Sequence, residues 1–375
     1  MPALGSLRLT GFLSAIVTLC LIGPVATAAE PMTTDVFVSG VDGYHTYRIP
    51  GLVVSNEGTL LAFCEGRRND RRDHGDIDML LKRSTDGGRT WSKAILVYEE
   101  GGTESVTIGN PCPVVDRTTG TIWLPFCRDN DRVFVTSSDD DGLTLTPPRE
   151  ITATVKANNW DWYATGPGHG IQLQYGPHKG RLVIPCDCRE KLKDGSWDKR
   201  GRSLVIYSDD QGQTWKRGQA TELGMNECEV VERRDGTLLL SMRNYLGKNL
   251  RAFSMSTDGG ETWSAPQHHP EVFCPTCQAS IVRLPGDADQ FVYSGPGGPG
   301  RTHMTLRLSR DGGESWPVSR VLYEGPAAYS ELAVLSDETL VVLFEAGTKH
   351  SYEVIRAARG SPAWLANAAP PEGTE

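Results

Sequence analysis

The sequence lacks the features that mark several large classes of protein. After residue 28 it has no stretch of helical periodicity and no apolar run long enough to span a membrane. It has no basic run, and its formal net charge of -9 over 375 residues argues against a nucleic-acid partner. No cysteine and histidine residues stand at zinc-ligand spacing, and we expect neither a metal nor a cofactor. The 41 glycines and 23 prolines instead indicate a turn-rich, all-β protein.

The first 28 residues differ from the rest of the chain. Arg8 precedes an apolar run over 9–25, and residues 26–28 form a small-x-small cleavage site, which is typical of a secretory signal peptide. A membrane anchor is the alternative, although the run is short and interrupted. We therefore expect an exported protein, periplasmic or extracellular, or lysosomal in a eukaryote. Its single domain would span 35–360, followed by a flexible tail over 361–375.

Cysteine is scarce for an exported chain of this length. An even number, eight, follows the expected signal peptide and is compatible with disulfides: Cys64, Cys112, Cys127, Cys186, Cys188, Cys228, Cys274 and Cys277. They are too sparse to form the framework of the fold. The last two form a Cys-x-x-Cys pair, but no second pair accompanies it, and we interpret all eight as structural.

One octapeptide pattern recurs along the chain. Its four copies are STDGGRTW at 84–91, SDDQGQTW at 208–215, STDGGETW at 256–263 and SRDGGESW at 309–316, and 137–145 resembles a degenerate copy. The Asp can accept hydrogen bonds from its own turn, Gly permits positive φ, and Trp can be buried against a sheet. Nothing brings a second reactive group to each Asp, so we interpret the copies as structural turns.

A weaker repeat places a turn residue before a short apolar strand. It begins at Gly58, Gly120, Gly180, Gly236, Asp289 and Glu338, in steps of 49 to 62 residues. Another apolar stretch precedes each copy, and most units continue through a third strand into the octapeptide. Six units of three or four antiparallel strands predict a six-bladed β-propeller. The sixth unit is one strand short, and residues 35–39 are expected to complete it from the N-terminus.

Strand direction divides this propeller into two faces. If the first strands of the blades start on one rim, the second strands end there, and the octapeptides lie on the opposite rim. The starts of the first strands and the ends of the second carry charged or reactive residues that radial symmetry would bring to one mouth: Arg48, Glu65, Arg67, Glu227, Arg243, Arg301, Tyr329 and Glu345.

The chain resembles the exo-α-sialidases (neuraminidases) of bacteria and animals in four segments: Tyr47-Arg-Ile-Pro, Asn226-Glu-Cys-Glu-Val, Gly300-Arg-Thr-His-Met-Thr and Ala328-Tyr-Ser-Glu-Leu. The octapeptides resemble the Asp boxes of that family, and the similarity covers essentially the whole mature chain. The resemblance implies a retaining exo-α-sialidase that hydrolyses terminal α-linked sialic acids of glycoproteins, glycolipids or oligosaccharides.

The resemblance also implies how substrate is held. Arg48, Arg243 and Arg301 would form a triad that binds the sialic acid carboxylate, since a guanidinium stays charged and offers planar donors. Glu345 would steady Arg48, and Arg67 would be a further substrate-binding residue.

Catalytic roles follow from the same resemblance. Tyr329 would be the nucleophile and Glu227 the base that activates it. A phenol assisted by a base approaches the anomeric carbon without the full charge that the substrate carboxylate would repel.

The acid/base residue is less sharply defined. Asp73 fits the family context best, on a loop that also carries Asp70, Asp76 and Asp78, and Asp70 and Asp76 remain alternatives. An acid needs a raised pKa, which neighbouring arginines would oppose. The segment Trp160-Asp-Trp-Tyr-Ala-Thr-Gly-Pro-Gly-His-Gly resembles a family segment whose aromatics contact the glycerol side of the substrate, and Tyr163 is the first candidate in it.

Two other functions remain open at this point. A sialic-acid-binding lectin would keep the propeller and the arginines without turnover, and a scaffold would share only the Asp boxes. The expected partners are sialylated glycoconjugates, and the sequence predicts no oligomeric state.

Overall fold

The computed structural model describes residues 1–2, 5, 29–192, 194, 196 and 198–367. The expected signal peptide falls almost entirely on residues 3–4 and 6–28, and the end of the expected tail falls on 368–375, all of which lie outside the described residues. Neither of the two helices that the structure describes is long and apolar enough to cross a membrane.

Strands account for nearly all the regular secondary structure of the described chain. The first nine are β1 (Met32–Val38), β2 (Thr46–Val54), β3 (Leu60–Arg67), β4 (Ile77–Ser84), β5 (Ile95–Tyr98), β6 (Ile108–Gly109), β7 (Val114–Val115), β8 (Ile122–Arg128) and β9 (Arg132–Ser138). There follow β10 (Arg149–Glu150), the helix α1 (Thr152–Val155), β11 (Trp160–Thr165), β12 (Ile171–Gln172), β13 (Leu182–Glu190), β14 (Arg202–Ser208) and β15 (Lys216–Arg217). The last are β16 (Met225–Glu232), β17 (Leu238–Asn244), β18 (Leu250–Ser256), β19 (Gln267–Phe273), β20 (Ser280–Arg283), β21 (Phe291–Pro296), β22 (Thr302–Ser309), β23 (Val318–Val334), β24 (Leu340–Ala346), β25 (Val354–Gly360) and the helix α2 (Pro362–Ala366).

These strands form five antiparallel sheets within the described residues. Four sheets run in chain order through β2–β5, β6–β10, β11–β15 and β16–β19, and the fifth has seven strands in the order β1-β25-β24-β23-β22-β21-β20. Each sheet is built mainly from strands that are consecutive in the sequence, as in the blades of a propeller. The all-β fold with a propeller-like arrangement of blades is therefore as expected.

The N-terminal strand completes the last sheet. β1 pairs with β25 from Met32 opposite Arg359 to Val38 opposite Val354. This confirms that the segment around residues 35–39 supplies the strand that the last repeat lacks. The pairing covers the edge of β25, which would otherwise present unpaired backbone groups.

The inner strands are buried on both faces because neighbouring sheets pack against each other. In β3 every residue from Leu60 to Arg67 is buried. Leu52 and Leu60 of the first sheet share one apolar cluster with Val341 and Leu343 of the last. The beginning and end of the propeller-like arrangement are thus in direct contact.

The octapeptides form tight turns closed by one aspartate each. In every copy the carboxylate accepts hydrogen bonds from the Ser hydroxyl two residues before it and from the backbone N–H and hydroxyl of the Thr or Ser four residues after it; the aspartates are Asp86, Asp140, Asp210, Asp258 and Asp311. Asp140 belongs to the degenerate copy, in which Leu145 replaces Trp and packs against the core. The copies are therefore structural turns.

The C-terminal segment differs from the flexible tail expected over 361–375. Its described part contains α2, which Ser361 caps by accepting from the Trp364 backbone N–H. Trp364 and Leu365 are buried in the last apolar cluster, and Arg320 donates to the Trp364 carbonyl at 2.6 Å. Burial of these two side chains holds the first seven residues of the expected tail on the domain.

No disulfide joins the cysteines of the described chain. All eight, from Cys64 to Cys277, are buried as free thiols. They behave as small apolar core residues, in agreement with a structural role.

Candidate active site

A polar cleft lies where the first and second strands of several sheets meet. Its volume is about 290 Å³, and its lining includes Arg48, Glu65, Arg67, Asp73, Asn110, Trp162, Arg189, Glu227, Arg243, Tyr245, Arg301, Tyr329 and Tyr352. The structure therefore brings seven of the nine predicted site residues into one cleft. Glu345 lies directly behind Arg48, whereas Tyr163 is elsewhere.

Tyr329 and Glu227 form a hydrogen-bonded pair in this cleft. They come from β23 and β16, and the Tyr329 hydroxyl donates to Glu227 Oε1. Arg243 Nη1 lies 2.6 Å from Glu227 Oε2 and 3.1 Å from Tyr329 Oη. One guanidinium thus fixes both the phenol and its carboxylate partner.

The surroundings keep the phenol protonated. Burial raises the pKa of Tyr329 well above its usual value, and the Glu227 carboxylate raises it further. Arg243, Arg301 and Arg48 act in the opposite direction. The proton therefore stays on Tyr329 in the resting site, with an acceptor already in place at Glu227.

Three guanidiniums surround the Tyr329 ring. Besides Arg243, the Cζ atoms of Arg48 and Arg301 lie 4.9 Å and 5.4 Å from the ring centroid. Arg301 Nη1 donates to Tyr352 Oη at 2.9 Å, and among the described residues no carboxylate forms an ion pair with Arg301. The cleft therefore presents positive charge that an anion can neutralise.

Asp73 reaches the cleft from the loop that follows β3. Its Oδ1 lies 2.8 Å from Arg67 Nη1 and 3.3 Å from Arg48 Nη1, and 72% of the side chain is exposed. Partial desolvation raises the pKa of Asp73, but the charges of Arg67 and Arg48 outweigh it, and the pKa lies below its usual value.

The other three aspartates point elsewhere, and Asp78 belongs to β4 and not to the loop. Asp70 pairs with Arg72 at the surface, Asp78 pairs with Arg68, and Asp76 lines a neighbouring pocket. Asp73 is the one of the four that lines the cleft.

Tyr163 is a correction to the expected site. Its side chain is fully buried in the apolar cluster between the second and third sheets, and Trp162 lines the cleft in its place. A shift of register between Trp160 and Trp162 in the pairing of β11 with β13 decides which aromatic faces which side. The segment thus reaches the cleft through Trp162 and not through Tyr163.

Some lining residues were not expected. Tyr352 lies under the Arg48 guanidinium, 4.1 Å from Cζ to ring centroid, on the short connection between β24 and β25. Arg189 is the last residue but one of β13, and its Cζ lies 4.8 Å from the centroid of the Trp162 ring. Neither lies in a segment with a recognisable pattern, and only their position at the rim could have indicated them.

One group within the described chain has metal-ligand spacing. It consists of His169, Glu229 and Glu331, all buried and outside the cleft. The cleft itself offers carboxylates that are already paired with arginines.

The fold and the cleft define a protein built from Asp-box repeats around a polar, arginine-rich mouth. A family model described as a BNR repeat-like domain matches residues 58–342. A sialidase of Micromonospora viridifaciens is 35% identical over 91% of this chain and 56% of its own length. A sialidase of Bacteroides fragilis is 31% identical over 83% of this chain and 62% of its own.

A solved structure, the Hadza microbial sialidase Hz136, superposes with a TM-score of 0.77 at 29% identity and covers 88% of this chain and 68% of its own. The chain belongs to the sialidase family with BNR repeats. It spans less than two thirds of the length of the two curated relatives described above.

Proposed function

We propose that this chain is a retaining exo-α-sialidase that removes terminal α-linked sialic acids from glycoproteins, glycolipids or oligosaccharides. The observation that carries the proposal is the Tyr329–Glu227 pair among Arg48, Arg243 and Arg301. The names of the relatives support the same activity.

The arginines would bind the carboxylate of the substrate. Three guanidiniums around one point repel each other, and an entering carboxylate removes that repulsion while accepting several charge-assisted hydrogen bonds. Arg301 has the largest share of uncompensated charge, since it donates to the neutral Tyr352 hydroxyl and forms no ion pair with a carboxylate of the described residues. This arrangement favours a sugar acid over a neutral sugar.

Tyr329 would attack the anomeric carbon while Glu227 accepts the phenolic proton. The bond from the anomeric carbon to the leaving oxygen breaks as the bond to Tyr329 Oη forms. The hydrogen bond from Tyr329 to Glu227 supplies the proton path, and Arg243 stabilises the carboxylate until it is protonated. Water then displaces Tyr329, which leaves the configuration at the anomeric carbon unchanged overall.

Asp73 would donate a proton to the leaving oxygen and later accept one from water. It is the aspartate of its loop that lines the cleft. Its pKa is lowered by Arg67 and Arg48, so protonation requires that a bound carboxylate neutralise Arg48 and that substrate desolvate Asp73.

For the fold, we propose six blades with the Asp boxes opposite the cleft. The 17-residue β23 pairs with β22 through residues 318–326 and with β24 through 327–334. Treating its halves as separate strands divides the seven-stranded sheet into two blades of four. Six apolar clusters between successive blades support this count.

Strand register supports this position of the boxes. Arg67 at the cleft lies opposite Ile77, whereas Leu60 lies opposite Ser84, which leads into the first Asp box. The box and the cleft are thus at opposite ends of the β3–β4 pair, and the same register in each blade would place all boxes on one face.

Time-resolved proton NMR of the purified protein with an α-sialoside tests the activity. We expect α-sialic acid to appear first and then to mutarotate. Tyr329→Phe should lower kcat by about a thousandfold or more. Tyr323→Phe is the matched control, since Tyr323 lies on the same strand and donates to the Gly347 carbonyl outside the cleft.

Three results would contradict the proposal. Initial release of the β anomer would exclude a retaining reaction. Saturable binding of sialic acid without turnover would indicate a lectin. Neither binding nor turnover would leave an Asp-box scaffold.

A further inference from the structure

The strands that carry Tyr329 and Glu227 also carry a pair of buried glutamates, one step further into the interior. Glu229 follows Glu227 by two residues on β16, and Glu331 follows Tyr329 by two residues on β23, so each repeats the orientation of its predecessor. Glu229 and Glu331 are both fully buried. The upper pair faces the cleft, and the lower pair meets His169 in the interior.

In Glu229 and in Glu331, all the hydrogen bonds from surrounding groups go to one of the two carboxylate oxygens. Glu229 Oε2 accepts from the Ile281 backbone N–H at 2.9 Å and lies 2.8 Å from Ser280 Oγ. Glu331 Oε1 is hydrogen-bonded to His169 Nδ1 and lies 3.0 Å from Ser280 Oγ. Glu229 Oε1 and Glu331 Oε2 have no hydrogen-bond partner, although both are buried.

The two oxygens without donors converge on one point beside Gly168. A Cβ on Gly168 would overlap Glu229 Oε1 and would lie 2.9 Å from Glu331 Oε2. Gly168 has a φ of +142°, which favours glycine. The absence of a side chain at Gly168 thus allows both oxygens to approach the same stretch of backbone.

Two buried carboxylates in contact cannot both remain charged without a compensating positive group. The interior offers no Arg or Lys ion pair to either group within the described residues. Either a proton or a cation must therefore neutralise the pair.

We propose that His169, Glu229 and Glu331 form a binding site for one divalent transition-metal ion, zinc or manganese. One ligand atom from each residue lies within 4.8 Å of the others, so a small inward movement of the side chains would bring all three to the roughly 2.0–2.2 Å at which a first-row ion binds nitrogen and oxygen. An imidazole with two carboxylates suits zinc or manganese better than calcium or magnesium, which prefer oxygen ligands alone. The charges of two carboxylates and one divalent ion also sum to zero.

A route to this site is present on the side away from the cleft. His169 lines a cavity of about 370 Å³ together with residues of the first strands of several sheets. An ion could enter through this cavity without passing the proposed substrate site. The site goes beyond the proposed sialidase activity, because none of its ligands lines the cleft.

Metal analysis of the full mature chain tests the proposal. The protein is stripped with EDTA, loaded with about a tenfold excess of zinc chloride or manganese chloride and dialysed, and its metal content is measured. We expect about one ion per chain and a melting temperature several degrees above that of the stripped protein. Glu229→Gln and Glu331→Gln should each lose the ion and the shift.

Glu232→Gln is the matched control. Glu232 is a buried acid on the same strand and lines the same cavity, but it is held by the backbone N–H groups of Gln174 and Tyr175 and lies outside the cluster. This variant should retain about one ion per chain.

Crystals of the wild-type protein provide a measurement that does not depend on how the variants fold. Anomalous scattering at the zinc or manganese edge should give a peak between Glu229, Glu331 and His169. The absence of stoichiometric metal after loading, or a peak only at another position, would overturn the proposal and leave a shared proton as the neutralising charge. Either result leaves the proposed sialidase activity untouched.

Discussion

Glu345 holds Arg48 through both carboxylate oxygens, with Arg48 Nε 3.0 Å from Oε1 and Nη2 3.1 Å from Oε2. The same carboxylate accepts hydrogen bonds from the backbone N–H groups of Ile49 at 2.9 Å and of Tyr329 at 3.1 Å. One fully buried side chain therefore fixes a proposed substrate-binding residue and the backbone of the proposed nucleophile.

Replacing Glu345 should consequently affect binding and stability together. Glu345→Gln removes the buried counter-charge of Arg48 and leaves it only the exposed Asp73, and we expect a loss of about 3 kcal/mol in the free energy of unfolding and a roughly tenfold rise in KM. Urea unfolding and steady-state kinetics measure the two effects. Glu100→Gln removes a partly exposed pair with Arg128 and should cost less than about 1 kcal/mol. Equal effects of both variants would contradict a special role for Glu345.

Two substrates with different leaving groups can distinguish the role of Asp73 from that of the neighbouring aspartates. Asp73→Asn should lower kcat/KM by about a hundredfold or more for a sialoside with a sugar leaving group, since the proton donor is lost. An aryl sialoside with an acidic phenol should be affected much less. Asp70→Asn, which removes only the surface partner of Arg72, should leave both rates unchanged. Equal losses on both substrates in Asp73→Asn would assign the acid to another group.

Trp162 and Tyr163 are neighbours in sequence with opposite environments. Trp162→Ala should weaken substrate binding with little effect on stability, because the side chain lines the cleft. Tyr163→Ala should lower the free energy of unfolding by about 3–5 kcal/mol, because the fully buried ring leaves a cavity. Thermal unfolding and KM, measured on both variants, distinguish the two positions. A rise in KM confined to Tyr163→Ala would restore the original expectation for this segment.

Two kinds of feature could be predicted from the sequence: the repeated turns, and the charged residues at the ends of strands. The Asp boxes recur with fixed spacing, and arginines at the ends of strands far apart in the chain, such as Arg48 and Arg243, could be placed on one rim by strand direction alone. Tyr163 failed because a single register shift reverses which side chain faces the cleft, and this shift leaves no mark in the composition of the strand.

Tyr352 and the His169–Glu229–Glu331 cluster were not predicted from the sequence, and the reason is different. Tyr352 acts through stacking under Arg48, which depends on how a short connection folds over the rim. The cluster joins residues that are 162 positions apart at its widest. Its ligands follow no short-range spacing, so only the assembled sheets bring them together.

The Asp boxes should make stability sensitive to acid. Hydrogen bonds within the turn lower the pKa of Asp86 to about 2 against the opposing effect of burial, and Thr144 and other donors lower that of Asp140 to about 2. An aspartate in the unfolded chain has a pKa of about 3.9. The folded state therefore binds fewer protons between these values, and stability is present above about pH 4 and lost as the pH falls toward about 2.

Asp86→Asn tests this dependence. At pH 7 the variant should lose about 1–2 kcal/mol of the free energy of unfolding, because an amide cannot accept all the bonds that Ser84, Arg89 and Thr90 donate. Urea midpoints at about pH 7, 4 and 2.5 should show the difference from wild type shrinking, because the unfolded wild-type chain then binds a proton at this aspartate more readily than the folded state does. Asp287→Asn, at a fully exposed position, should match wild type throughout. A difference that stayed constant with pH would mean that the turn is stabilised by shape and not by the charge of its aspartate.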